Sequence, residues 1–147
     1  MQSAFENSDE RLAYAMLRLA VGANLMMHGI SRIIAGPGEF AAKLVMQFEH
    51  APLPAWSVWA FGLVLPATEA GLGLLLLIGL RTRAVLIAAT LLIMILTFGS
   101  SLLQDWSVVG IQLTYAAAYC ALLFLYRHNA WSVDAWIARH SKPATEQ

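Results

Sequence analysis

One carboxylate inside a long apolar run constrains this chain most. Glu69 lies in the stretch PATEAGLGLLLLIGLRTR, within a run from Trp56 to Leu80 that is long enough to cross a bilayer. Inserting an ionised group at that depth costs at least ~2.5 kcal/mol, so Glu69 has to meet a partner, a proton or a water-filled cavity. Pro66, three residues earlier, removes a backbone donor and frees the carbonyl of Gly62. Gly71 and Gly73 allow a neighbouring helix or a flat ligand to approach the backbone. Arg81 and Arg83 close the run and mark a cytoplasmic edge.

The rest of the chain has the same character. It is 59% hydrophobic and 12% charged, against roughly 25% charged in a soluble domain, which points to an all-α integral membrane protein. Four transmembrane spans are expected, over about 12–35, 56–80, 84–103 and 108–126. Together they form a single four-helix membrane domain covering 1–147, with a disordered tail over about 141–147. Ser8 or Asp9 is the expected cap of the first helix, and the polar, acidic segment before it reads as mature sequence rather than as a signal peptide. Gly36-Pro37-Gly38 breaks the first span. A short amphipathic helix then places Phe40, Leu44 and Phe48 on one face, to lie on the membrane surface or to dip into it. Ser132 caps a second interfacial helix near the C-terminus. Zero net charge argues against nucleic acid as a partner. The lone Cys120, read as a small apolar filler, excludes an intramolecular disulfide and a cysteine-rich metal site.

Charge bias sets the orientation. Arg11, Arg81, Arg83, Arg127, Arg139 and Lys142 fall on one side of a four-span chain, and Arg32 and Lys43 on the other, so both termini are expected in the cytoplasm. With ~1.5 Å of rise per residue, Arg18 lies ~9 Å from the inner edge, Glu69 and Tyr115 ~16 Å, and His28 and Gln112 at ~21–24 Å. Arg18, Gly22, Leu25, His28, Gly29 and Arg32 share one broad helix face, which should point into the bundle. Glu69 is accordingly expected inside, within reach of Arg18 or His28.

Each of these residues also has a reading without function. Arg18 and Glu69 could neutralise each other as a structural pair. Arg18 could snorkel to the inner surface. His28 and Tyr115 could each bond a backbone carbonyl. The glycines, Gly73 included, could be helix-packing positions.

Arg18-x3-Gly22 followed by His28-Gly29-x2-Arg32, then Pro66 and Glu69 before GLGLLLLIGLRTRAVLIAA, and finally Ser132-Val133-Asp134, resemble the DoxX family in order and spacing. The family commonly has lysine where this chain has Arg32. The resemblance covers roughly Arg11 to Trp136. It implies a four-helix inner-membrane protein, and through the DoxD subunit of a thiosulfate:quinone oxidoreductase it implies a quinone link and a redox partner protein.

The residues themselves make a separate case for a quinone. A quinone carbonyl needs a hydrogen-bond donor, and its reduction needs two protons. His28 donates and exchanges protons near neutral pH. Glu69 is a second proton site, and Tyr115 can donate to the other ring oxygen. On this reading His28 and Glu69 are the catalytic residues, and Arg18, Tyr115, Gln112 and Gly73 contact the ligand. No metal is expected, and no haem, because one intramembrane histidine cannot supply two axial ligands. Electrons would come from a soluble or membrane redox partner or from a diffusible reductant. Two rivals stand beside this quinone-linked oxidoreductase subunit. One is a non-enzymatic structural or assembly subunit that docks a partner protein. The other is a small proton-coupled carrier with Glu69 as its proton site, for which a homo-dimer would supply enough helices.

Overall fold

The computed structural model describes residues 2–141, and they are helical almost throughout. Six helices follow one another: α1 (Gln2–Ala35), α2 (Pro37–Gln47), α3 (Ala55–Ile78), α4 (Thr82–Leu102), α5 (Trp106–Phe124) and α6 (Val133–His140), with a 3-10 turn over Tyr126–His128 between the last two. Among the described residues, α3, α4 and α5 are long and apolar enough to cross a membrane. Each agrees with its expected span to within two residues at either end.

The first helix differs from expectation. It starts at Gln2 and not after a cap at Ser8 or Asp9. The segment before Leu12 holds no glycine or proline, so nothing ends the helical ladder there. Glu10 consequently sits mid-helix, where its carboxylate lies 3.3 Å from His128 Nδ1. The tail expected to be disordered falls, apart from Ser141, outside the described residues.

α1 and α3 pack antiparallel in the most extensive contact of the fold. Their seam is closed by glycine. A Cβ at Gly29 would overlap the backbone of Pro66 and Ala70, and one at Gly73 would overlap that of Met26. Backbones this close gain dispersion contacts along the whole seam, the usual route to helix association in lipid. α4 and α5 form a second antiparallel pair. Tyr14, Val21, Leu25, Leu76, Val85, Leu86, Ala89, Ile93, Tyr119 and Leu122 join the two pairs in one apolar core. α2 lies across the first half of α3, with its fully buried Ala41 against Gly62. Cys120 is exposed on α5, so it does not fill the core.

The α3–α4 turn is held by the segment around Asn129, Ser132 and Asp134. Gly79 (φ 69°) ends α3 in the left-handed conformation, and its amide bonds back to Leu75 and Leu76. Arg81 also has positive φ (49°), which a non-glycine residue adopts only when something holds it. Asp134 supplies the hold. One carboxylate oxygen accepts the Arg81 amide and the other the Thr82 amide, both at 2.7 Å, while the Asp134 amide donates to Gly79 O at 3.0 Å. Asn129 Nδ2 donates to Thr82 Oγ1 at 3.1 Å, and Ser132 Oγ caps α6 by accepting the Ala135 amide.

Candidate functional site

Glu69 is buried, 3% exposed, and faces the bundle interior. Its partner is neither of those expected. The Arg32 guanidinium pairs with the Glu69 carboxylate, and its Cζ lies 4.7 Å above the ring of Phe40 on α2. Arg18, 2% exposed, is committed elsewhere. It donates to Leu76 O, to Leu77 O at 3.0 Å and to Trp131 O at 2.7 Å. Both outcomes follow from helix geometry. Side chains on a helix lean toward its N-terminus. On α1 this carries Arg32 back one turn to Glu69, and carries Arg18 away from Glu69 toward the C-terminus of α3. There the last carbonyls lack intrahelical donors and the helix dipole presents negative charge. The expected Arg18–Glu69 pair is therefore not formed, and Arg18 lines neither cavity described below: it ties the end of α3 to the C-terminal segment.

A cavity of about 260 Å³ lies between α1, α3, α4 and α5. Its polar wall is Asn24, His28 and Arg32 from α1, Glu69 from α3, and Gln112, Tyr115 and Tyr119 from α5. Four of the six residues proposed from sequence thus come together: His28, Glu69, Gln112 and Tyr115. Gly73 does not line the cavity, because α1 occupies the space over it. His28 is exposed at the rim rather than buried. Gln112 Nε2 donates to Ser100 Oγ at 3.0 Å, while its buried Oε1 has no donor.

Arg32, Asn24 and Tyr119 are the wall residues that sequence reasoning left out. For Tyr119 a signal was present. Gln112, Tyr115 and Tyr119 follow at i, i+3 and i+7 and must share a helix face. For Arg32 the signal was the N-terminal lean of a long side chain near the end of the first span.

A second, larger cavity of about 810 Å³ adjoins the first and shares the walls Arg32, Leu96, Val108 and Gln112. α2 contributes Phe40 and Leu44 to it, with Phe48 just past the helix's end. That is the face grouped from sequence, turned here toward α3 and the end of α4.

Chemically, the inner cavity offers a neutralised ion pair, an imidazole, two phenols, two amides and apolar flanks. That set can orient a small polar ring and hold or pass protons.

No curated protein and no solved structure matches the chain. The DoxX family model does match, over residues 13–101, which takes in Arg18, His28, Arg32, Glu69 and the α1–α3 seam. With that match over more than half of its length and three apolar helices able to cross a bilayer, the chain belongs to the DoxX family of membrane proteins.

Proposed function

We propose that this is a redox-linked inner-membrane protein that binds a quinone-type ring in the cavity between α1, α3, α4 and α5. The carrying observation is the convergence of His28, Arg32, Glu69, Gln112, Tyr115 and Tyr119 on one cavity inside an otherwise apolar bundle. A bundle built for stability alone has no need of polar side chains from three helices around a cavity. The orphaned Gln112 Oε1 fits the reading, since a hydroxyl on a reduced ring would give it the donor it lacks. Taken alone the inner cavity falls just short of the ~300 Å³ typical of ligand pockets, and joined to the outer one it exceeds that figure.

When bound, a quinone supplies a two-electron, two-proton couple. The chain's own part is binding and proton handling. His28 at the rim donates to a ring oxygen and exchanges protons with the outside. Tyr115 orients the opposite oxygen. Glu69 carries the interior proton site, with Arg32 balancing its charge. Electrons come from a partner protein or a diffusible reductant.

The same reading makes α1 a fourth span. Both of its intramembrane arginines are matched inside the protein, Arg18 by carbonyls and Arg32 by Glu69, so neither has to meet lipid. All five tryptophans are exposed: Trp56, Trp59 and Trp106 near one end of the bundle, Trp131 and Trp136 near the other. Two such groups are what interfacial belts at the two membrane surfaces would look like. The arginine asymmetry then puts both termini in the cytoplasm. A cysteine at Val45 in a Cys120→Ala background should react with an impermeant reagent only from outside; reaction only from the cytoplasmic side would reverse the orientation.

Titration of the purified protein with a short-tail quinone tests the site. Saturable binding is expected, weakened about tenfold in His28→Ala, which is the loss of about one charge-free hydrogen bond. The thermal midpoint of that variant should hardly move, because His28 is exposed. If the wild type shows no saturable binding, the reading gives way to a structural subunit.

A further inference from the structure

We infer that the outer groove seats the apolar tail of the ligand, so that the molecule taken up is a membrane-borne quinone with a long hydrocarbon chain and not a soluble one. The inference rests on the reading of the inner cavity as the ring site.

Two observations carry it. The first is continuity. Arg32, Leu96, Val108 and Gln112 belong to both cavities, so a ring in the inner chamber has its exit through that neck. The second is the difference in size and lining on either side of the neck. The inner chamber is small and has His28, Glu69, Tyr115 and Tyr119 among its walls, whereas the outer groove is about three times larger, by 810 to 260 Å³, and is mostly apolar, with Phe40, Leu44, Phe48, Phe61, Leu65 and Phe98 beside the polar Gln47, Ser57, Ser100 and Asp105. A molecule that fits both has a compact polar head and one apolar chain.

Charge argues for a neutral head. Arg32, the cation at the neck, is already matched by Glu69, so a phosphate-bearing lipid headgroup would have to break that pair to gain a counter-charge. The groove lies between α2 and α3 on one side and the end of α4 and start of α5 on the other, at the bundle end carrying Trp56, Trp59 and Trp106.

The tail should add little affinity. Leaving lipid for a phenylalanine-lined groove exchanges one apolar surrounding for another. The decisive measurement is therefore where the tail lies. Two photoreactive quinones with the same ring, one carrying the reactive group on the ring and one halfway along the chain, are bound to the full-length protein in lipid nanodiscs. The ring probe should label the segments containing His28 and Glu69. The chain probe should label 40–48 and 98–103. Unlabelled long-chain quinone at about ten times its Kd should reduce both about tenfold. Ser57→Phe, which fills the groove wall, should reduce chain labelling and spare ring labelling by a short-tail probe.

If ring labelling is displaceable while the chain probe scatters over lipid-facing residues such as Ile87, Met94 and Leu113, the groove assignment is overturned and the ring site stands. A photoreactive phosphatidylcholine that labels 40–48 and is not displaced by quinone overturns it as well, by making the groove a lipid-binding crevice. If neither quinone probe is displaced, the ring site itself falls and the groove assignment with it.

Discussion

The two ends of this bundle solve the same problem in opposite ways. Each holds one α1 arginine in apolar surroundings, and each has an aspartate at the start of a membrane-crossing helix. At the α3–α4 end, Arg18 and Asp134 are turned onto backbone groups, with the C-terminal segment wrapped over them. At the other end, Arg32 pairs with a side chain on the wall of two cavities, and Asp105 caps α5 in the open. A polar group satisfied by backbone is fixed in place. One satisfied by another side chain beside a cavity can exchange partners. The first kind builds the fold, and under the proposed function the second kind is the one a ligand would use.

The sharpest way to break this comparison is to remove one member from each end. Arg18→Ala removes the guanidinium donor from the carbonyls of Leu76, Leu77 and Trp131, of which Leu76 O keeps the Gly79 amide. Charge-assisted bonds of this kind contribute about 1.5–3 kcal/mol each and do not add fully, so a loss of about 3–5 kcal/mol is expected. Glu69→Gln keeps an acceptor for Arg32, whose side chain is 26% exposed and still rests on Phe40, so about 1 kcal/mol is expected. Thermal midpoints in one detergent compare them. Equal losses would erase the distinction between a fixed and an exchangeable arginine.

A smaller effect sharpens the view of the closed end. Asp134→Ala removes the acceptor for two amides at the start of α4 and the hold on the left-handed Arg81. By the usual worth of an N-cap it should cost about 1–2 kcal/mol. It should also free the C-terminal segment, so that trypsin cuts at Arg127 faster than in the wild type. An unchanged cleavage rate would mean that the Arg18–Trp131 bond alone secures that segment.

The split between the two ends also marks where the sequence could be read and where it could not. Helix positions were legible because apolar runs and the Gly36-Pro37-Gly38 break are local signals, whereas the end of α3 at Gly79 lay inside the run read through to Leu80. The face shared by His28 and Arg32, and the layering of Glu69 with Tyr115 and of His28 with Gln112, came from helical spacing alone, and the cavity gathers all of these residues. The partner of Glu69 was not legible from depth. Counting along a helix locates a Cα, whereas an arginine acts six or so bonds away, toward the N-terminal side. Nor was the clasp. Nothing in Ser132-Val133-Asp134 says that its carboxylate will cap a helix fifty residues earlier, since that depends on how the C-terminal segment folds back. Gly73, grouped with the ligand contacts because small residues admit a ring, admits a helix instead, and its own sequence context cannot distinguish the two.

The smallest expected effect concerns the open-end aspartate. Asp105 accepts from Ser107 Oγ at 2.6 Å and from the Val108 amide at 3.2 Å. First the hydroxyl and then the amide hold its carboxyl below the ordinary carboxylate range. The folded value is therefore lower than the unfolded one, near 3.9. The cap's contribution is complete above that unfolded value and disappears as pH falls through the lower folded one. Solvent screens so exposed a carboxylate strongly, so the effect should be visible only as a difference. The thermal midpoint of the wild type minus that of Asp105→Asn, followed from pH about 6 down to about 2.5, should be flat at the top of the range and shrink at the bottom. Ser107→Ala, which removes the stronger partner, should move the onset of that decline to higher pH. A difference that stays constant throughout would mean that the hydroxyl and the amide bind the protonated carboxyl as well as the ionised one. The open end would then owe nothing to the charge of its cap.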